Sequence, residues 1–325
     1  MVTFTDPELS PAEVELLITT AGKYHSALTE IKLHRLSVQR GRERLSRVAN
    51  ATVRAGRSSL YFLAGSHQAT TRHSGRVWAL GEIVASASGS THHLRTDGPC
   101  HWATLSMRRN ELSAAAIALV GRDLIEPSIT QYFRPPLPIM SRLLNLHQAA
   151  EKLSERAASV IALPEPARAF EQALLHATIM CLNGSSTPAR MTGGALRHTT
   201  IIARFEELLA ANYDRPLHIP EICAAIGASE RTLRVSCLEH VGMGPVRYLW
   251  LRRMHLARRS FILADAATST VTTIATANGF GELGRFAVEY RALFGEAPSA
   301  TLRRAAQEMR NTQTNPFIFA DTGFA

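Results

Sequence analysis

One sequence pattern occurs twice in the C-terminal third of this chain, and the duplication constrains the fold more than any other feature. Five positions recur, separated by 52 residues in the first part of the pattern and by 53 in the rest. The pairs are Ile222 and Ile274, Gly227 and Gly279, Leu233 and Phe286, Gly242 and Gly295, and Pro245 and Pro298. Residues that set packing and turns are repeated, whereas the residues between them differ. The pattern therefore predicts two similar helix-turn-helix units with different exposed surfaces.

The first unit, residues 219–245, we call the first head. Ile219–Ile226 is predicted to be its supporting helix, because Pro220 is tolerated in a first helical turn. Gly227 is predicted to make the turn, since a positive φ costs least for glycine. Ser229 is placed to cap a recognition helix that ends near His240. The inner face of that helix is predicted to comprise Leu233, Cys237 and Val241.

The second unit, residues 271–298, we call the second head. Val271–Asn278 is its predicted supporting helix, Gly279–Phe280 its turn and Glu282–Phe294 its recognition helix, with Phe286, Tyr290 and Phe294 buried. Pro245–Leu263 is predicted to be one long helix that fixes the distance between the heads. It carries Arg247, Arg252, Arg253, Arg258 and Arg259. A rigid connection lets two heads enter successive major-groove segments about 34 Å apart.

The outward side chains of the recognition helices are the candidate DNA contacts. In the first head these are Ser229, Glu230, Arg231, Thr232, Arg234 and Val235. In the second head they are Glu282, Leu283, Gly284, Arg285, Ala287, Val288 and Arg291. Arg231 and Arg234 either hold a guanine bidentately or contact phosphate. A bidentate contact favours guanine over a wrong base by about 1–3 kcal/mol. The second set has few hydrogen-bonding groups, so we expect specificity to depend mainly on the first head.

Residues 198–304 resemble the DNA-binding region of the AraC/XylS family of bacterial transcription regulators. The resemblance is carried by Ile222-Cys223-Ala224-Ala225 before Gly227, by Gly242-x-x-Pro245-x-x-Tyr248-Leu249, and by Ile274-Ala275-x-x-x-Gly279-Phe280 with Phe286, Phe294-Gly295 and Pro298-Ser299. The segment from Gly279 to Glu296 is similar to the XylS-like branch. The resemblance implies one helix of each head in the major groove, and an N-terminal effector-binding, dimerising domain.

The N-terminal part of the chain predicts a β module followed by helices. Short β-prone runs separated by turn residues occupy residues 28–110, as in a small sandwich or barrel. They are Leu36–Val38, Arg47–Val53, Ser58–Leu63, Val77–Val84 and Trp102–Met107. Helical periodicity then covers Ala114–Val120, Pro138–Ser159 and Pro166–Leu182. An apolar stripe from Met140 to Leu153 packs either on the β module or against a second subunit.

These patterns predict an α+β chain. The β module resembles the cupin-like effector domains of such regulators, and this resemblance implies that residues 1–182 are an effector-binding and dimerisation domain, with a cupin-like β-barrel or sandwich at about 28–110 and helices at about 112–182. A linker follows at 183–197, where Gly, Ser, Thr and Pro are concentrated. The double helix-turn-helix domain spans 198–310, and 311–325 is a C-terminal tail. The net charge of +9 is compatible with a polyanionic partner, although basic charge is denser at residues 31–60 than in the predicted DNA-reading region.

Other chemistry is weakly represented in the sequence. His92, His93, Cys100 and His101 are the one group that suggests zinc, but adjacent strand residues point to opposite faces, so we predict no metal site. Phosphate-binding and nucleophile-elbow motifs are missing, so we predict no enzyme activity and no cofactor. In the β module, His73, Arg76 and Trp78 are candidate effector contacts, with Arg76 for a carboxylate and Trp78 for a ring.

Two hypotheses for function follow. The favoured one is an effector-responsive, sequence-specific transcription regulator that activates a catabolic or stress operon. Its expected partners are double-stranded promoter DNA, RNA polymerase, a small organic effector and a second copy of the chain. The alternative is a cupin-type ligand- or metal-binding protein or enzyme fused to a DNA-binding module. The N-terminus lacks the order of a signal peptide and no apolar run spans a membrane, so we expect a cytoplasmic, nucleoid-associated protein.

Overall fold

A computed structural model describes residues 12–22, 25–65, 68–125, 128–156, 163–185, 193–212, 215, 217–266 and 268–304. The predicted tail at 311–325, the end of the predicted DNA-binding domain at 305–310 and linker residues 186–192 lie outside this set. Among the described residues, no helix combines the length and hydrophobicity that a membrane span requires.

Two antiparallel sheets form the N-terminal module. The first is five-stranded, in the order β1 (Ala12–Ile18), β4 (Arg47–Val53), β9 (Thr91–Thr96), β6 (Thr71–His73) and β7 (Arg76–Val77). The second is six-stranded, in the order β11 (Gln131–Phe133), β8 (Ile83–Ser86), β5 (Arg57–Leu63), β10 (Cys100–Arg108), β3 (Ser37–Glu43) and β2 (Ser26–Lys32). Of the two predicted alternatives, barrel and sandwich, the structure has the two sheets of a sandwich.

In the described part of the chain, three helices cover one face of the six-stranded sheet. They are α1 (Arg109–Val120), α2 (Leu137–Arg156) and α3 (Pro164–Asn183). One buried apolar cluster joins strand residues such as Phe62 and Leu105 to Leu143 in α2 and Leu174 in α3. Most of the predicted apolar stripe of α2 therefore packs within the chain. Burying these side chains away from water supplies about 25 cal/mol per Å² of apolar surface.

The C-terminal part is helical. It contains α4 (Gly193–Ala211), α5 (Ile219–Ile226), α6 (Glu230–His240), α7 (Pro245–Leu263), α8 (Val271–Ala277) and α9 (Leu283–Phe294), and residues 298–304 are also helical. Its core includes Phe205, Tyr248, Phe261, Phe286 and Tyr290. The bounds of α5, α6 and α7 match the prediction, and those of α8 and α9 differ from it by one residue.

Three elements differ from the sequence-based expectation. The predicted strand Val77–Val84 is divided between β7 and β8, because the backbone turns where Glu82 N–H donates to Ala79 O at 3.2 Å. Helix α4 begins at Gly193, within the segment 183–197 that is predicted to be a linker. The strand β1 lies before the predicted start of the β module at residue 28, and it contacts α7 of the helical domain.

Candidate functional site

The first head consists of α5, the turn at Gly227 and α6. Gly227 has φ +66° and ψ +39°, in the left-handed region that disfavours other residues. An added Cβ there would meet nothing within 4 Å, so the backbone angle rather than space requires glycine. Ser229 Oγ accepts a hydrogen bond from Thr232 N–H at 3.1 Å and caps α6, which fixes where the recognition helix begins.

The outward face of α6 is exposed to solvent. Leu233, Cys237 and Val241 are buried in the core, as the four-residue spacing predicts. The candidate contact residues lie on the other side. Ser229, Glu230, Arg231, Arg234 and Val235 are exposed, and Thr232 is half-buried.

The second head has the same construction with a different surface. Thr270 Oγ1 accepts from Thr273 N–H at 3.1 Å and caps α8. Phe286, Tyr290 and Phe294 of α9 are buried as predicted, and so is Leu293. On the outer side, Glu282, Gly284, Arg285, Val288 and Arg291 are exposed, whereas Leu283 and Ala287 are half-buried.

A chain of polar contacts joins α9 to α7. Arg285 Nε lies 2.9 Å from Glu289 Oε1, and Trp250 Nε1 donates to Glu289 Oε2 at 2.9 Å. The Arg247 guanidinium carbon lies 3.8 Å from the centre of the Trp250 ring. The 19-residue helix α7 is about 28 Å long at 1.5 Å per residue, so these contacts tie the second head to a rigid connector.

The five arginines of α7 do not share one role. Arg252 is buried and faces the β module, Arg258 lies 3.1 Å from Glu296, and Arg259 is exposed. The connecting helix α7 therefore carries five arginines, but the fold buries one of them, Arg252, away from solvent.

A buried polar network joins the β module to the helical domain. At its centre, the Glu206 carboxylate accepts hydrogen bonds from His93 Nε2 at 3.1 Å, Tyr248 Oη at 2.6 Å and Arg252 Nη1 at 3.2 Å. Arg252 also contacts Glu15 at 3.0 Å. Burial opposes ionisation of Glu206, but the donors, led by His93, outweigh it and hold its pKa below the ordinary value. Glu206 is thus an ionised carboxylate at the domain contact.

A cavity of about 1000 Å³, including solvent at its mouth, lies between the two sheets. Its walls are mainly apolar and include Trp78 and Trp102. A concave space with a mainly apolar lining is typical of small-molecule sites. The cavity is the candidate effector site of the module.

The five-stranded sheet separates this cavity from the helical domain, because alternate strand residues face opposite sides. The cavity-facing set is Val14, Leu16, Ala49, Ala51, Leu94 and Thr96. The set facing the helical domain is Glu15, Leu17, Val48 and His93. Each of β1, β4 and β9 therefore contacts both the cavity and the helical domain.

Of the three candidate effector contacts, Trp78 lines the cavity. Its Nε1 donates to Glu82 O at 3.3 Å. His73 is fully buried behind it and lies 2.9 Å from Tyr132 Oη. Arg76 is held by both Glu82 carboxylate oxygens at 2.8 and 3.0 Å, and neither His73 nor Arg76 is part of the cavity lining.

The residues considered for a metal are dispersed. His92 stacks on His73 with ring centres 4.7 Å apart, whereas His93 points to Glu206 in the helical domain. Cys100 lines the cavity, and the backbone N–H of His101 donates to Gln68. Within the part of the chain that the structure describes, no three His, Cys, Asp or Glu residues are grouped to hold a metal ion.

Comparisons with known proteins agree with the geometry of the two heads. Residues 222–304, which include both recognition helices, match the family model described as a helix-turn-helix domain. The XylDLEGF operon transcriptional activator of Pseudomonas putida is 32% identical over 106 residues, which is 33% of each chain. This region of the chain is therefore similar to part of the AraC/XylS-type transcription regulators.

Other relatives cover a similar share. The probable thc operon regulatory protein of Rhodococcus erythropolis is 39% identical over 97 residues, 30% of this chain and 29% of that protein. The chain therefore spans about a third of the length of these AraC/XylS-type relatives. A solved structure of a probable AraC family transcriptional regulator from Rhodopseudomonas palustris is 37% identical, with a TM-score of 0.30, and covers 32% of this chain and 96% of that one.

Proposed function

We propose that this protein is a sequence-specific DNA-binding transcription regulator whose activity responds to a small molecule. The observation that carries the proposal is the pair of recognition helices, α6 and α9. Both expose an outer face, and a continuous helix joins the two heads. Such helices fit the major groove, where base edges are distinguishable. Relatives described as operon regulators and activators support the activator role.

The two heads should make different contributions to DNA binding. Arg231 and Arg234 are exposed on α6, where guanidinium groups suit guanine edges or phosphates. On α9, Arg285 is paired with Glu289, and Val288 is 71% exposed. An exposed valine suits contact with a thymine methyl group, so we assign most hydrogen-bond readout to the first head.

The five-stranded sheet is the proposed route between effector and DNA. A molecule in the cavity contacts one face of β1, β4 and β9, while the opposite face carries Glu15, Leu17, Val48 and His93 against the helical domain. A ligand shifts the arrangement of the heads only to the extent that it binds one arrangement more tightly. The shared sheet provides contacts that can differ between two arrangements.

The remaining assignments follow from this function. Residues 1–182 are the proposed effector module, and 198–310 the proposed DNA-binding domain. RNA polymerase and a second copy of the chain are proposed partners, as expected of an activator that binds a promoter.

Selection from random duplexes tests the function. The full chain should enrich one sequence and bind it in the presence of excess scrambled duplex. Arg234→Ala should weaken the selected duplex more than the scrambled one. Arg142→Ala, which removes an exposed arginine on α2, is the matched control and should change neither. Equal binding of selected and scrambled duplexes by the unaltered chain would refute the proposal.

A further inference from the structure

One arginine of the second recognition helix is held by a single nitrogen. Arg285 Nε donates to Glu289 Oε1 at 2.9 Å, one helical turn further along α9. In the described part of the chain, neither terminal nitrogen of Arg285, Nη1 or Nη2, has a hydrogen-bond partner, and the side chain is 72% exposed. Arginine contacts guanine O6 and N7 through two N–H groups. The terminal nitrogens of Arg285 can supply both while Nε stays on Glu289.

Glu289 is itself held by the connecting helix. Trp250 Nε1 donates to Glu289 Oε2 at 2.9 Å, so the two carboxylate oxygens accept from two different helices. The Arg247 guanidinium lies over the Trp250 ring, with its carbon 3.8 Å from the ring centre. The hydrogen bond from Arg285, supported by that from Trp250, lowers the pKa of Glu289 below its ordinary value. Glu289 is therefore an ionised acceptor whose orientation α7 helps to fix.

The order of the two charges along α9 does not favour the helix itself. Arg285 lies in the first turn, where the helix dipole disfavours a cation, and Glu289 follows four residues later. The reverse order, with the acid first, is the better one for a helical ion pair. Exposed ion pairs also add little to stability. An arginine placed against these preferences points to a partner outside the chain, and the first turn of a recognition helix is where base edges are contacted.

We propose that Glu289 is a positioning residue for base readout by the second head. Held by Trp250, it fixes the Arg285 side chain at Nε and presents Nη1 and Nη2 to one guanine in the major groove. A long, exposed arginine loses side-chain freedom when it binds, and ordering it beforehand lowers that cost. The inference rests on the regulator function proposed above. It adds one guanine contact, made by the second head and dependent on a residue of the connecting helix.

Substitution of each base pair in the selected duplex tests this role on the full chain. Arg285→Ala should reduce the preference for guanine about fivefold or more at one position that Arg234→Ala leaves unaffected. Glu289→Ala should reduce the same preference by about threefold, the cost of ordering one long side chain. Because it removes a negative charge near the phosphates, it should also raise the affinity for scrambled duplex. In an Arg285→Ala background, Glu289→Ala should change the preference at that position no further.

Two more variants separate positioning from charge. Trp250→Phe removes the donor to Glu289 but keeps an aromatic ring under Arg247, and it should weaken the preference for the same guanine. Glu165→Ala is the matched control, because Glu165 is an exposed carboxylate on α3 that lies 3.5 Å from Arg168. It should change neither the guanine preference nor the affinity for scrambled duplex.

The outcomes distinguish the inference from the function on which it rests. Equal gains in affinity for selected and scrambled duplexes in Glu289→Ala, with every base preference kept, would overturn the inference and leave only an effect of charge. Equal losses for every duplex, together with a lower thermal midpoint, would overturn it in favour of a role in folding. In both cases, selection of one duplex by the unaltered chain would leave the regulator function standing. Failure of the unaltered chain to select any duplex would refute the function and the inference together.

Discussion

The contact between the β module and the helical domain makes a quantitative prediction for Glu206→Gln. Glu206 is 4% exposed and accepts from His93, Tyr248 and Arg252. Glutamine has nearly the same shape as glutamate, but its amide NH2 group replaces one carboxylate oxygen. That NH2 group then faces a hydrogen-bond donor of the network instead of an acceptor. The substitution also removes the charge opposite Arg252. Removing one member of a buried ion pair typically costs about 3–5 kcal/mol.

Two features reduce that cost. Arg252 keeps Glu15 as a second partner, and the amide oxygen introduced by Glu206→Gln would still accept one or two hydrogen bonds. We therefore expect a loss of about 2–3 kcal/mol in the free energy of unfolding. Urea denaturation of the full chain at pH 7, followed by circular dichroism, measures it as a fall in midpoint of about 1–2 M.

Glu207→Gln is the matched control, since Glu207 is the next residue of α4 and is exposed. Its effect should be within about 0.5 kcal/mol of zero. Equal midpoints for Glu206→Gln and Glu207→Gln would show that the buried network contributes nothing to the domain contact.

Two further predictions concern the first head and the domain contact. Gly227→Ala should cost about 1 kcal/mol, because the left-handed backbone penalty of about 1–2 kcal/mol exceeds the entropic gain from a stiffer unfolded chain. Gly284 lies in the first turn of α9 with open space around it, so Gly284→Ala should instead stabilise the folded chain by up to about 1 kcal/mol. Thermal midpoints of Gly227→Ala and Gly284→Ala that move in the same direction would contradict this prediction. Burial lowers the pKa of His255, whose Nε2 lies 3.1 Å from both the backbone N and the backbone O of Ile18, to about 4. The unfolded chain therefore binds a proton that the folded chain excludes between about pH 4 and 6.5, so stability is full above that window and falls as pH decreases. From pH 7 to pH 5 the unaltered chain should lose about 2 kcal/mol more than His255→Gln in urea titrations, and equal losses would refute the assignment.

The two heads could be predicted from sequence because their signals are local. Glycine at the turn, serine at the cap and proline in the first helical turn specify a helix-turn-helix within about 25 residues. The structure accordingly places α6 and α7 at the predicted bounds. The buried faces of the recognition helices could also be predicted, since apolar residues recur at helical spacing.

The strand β1 could not be predicted in the same way. Its sequence, AEVELLI, contains residues that also favour helices, and it does not alternate cleanly between polar and apolar residues. The structure gives the reason: Leu16 faces the cavity and Leu17 the helical core, so both faces are covered. A strand buried on both sides loses the alternation that identifies a strand with one exposed face.

The domain contact and the cavity depend on residues far apart in sequence. Glu15 and Arg252 are separated by 237 positions, and His93 and Glu206 by 113. Neither pairing leaves a local pattern in the sequence. Arg76 shows a second limit, because its partner Glu82 is only six residues away but the sequence does not show that the fold buries this carboxylate.

The two-headed mode of DNA binding is tested most directly by the affinity of the full chain for its selected duplex with each base pair substituted in turn. Two clusters of sensitive base pairs should appear, about 10 base pairs apart on one face of the duplex. Arg234→Ala should abolish sensitivity within one cluster and leave the other intact. A single contiguous cluster, or a uniform loss of affinity at every position in Arg234→Ala, would contradict binding by two separate heads.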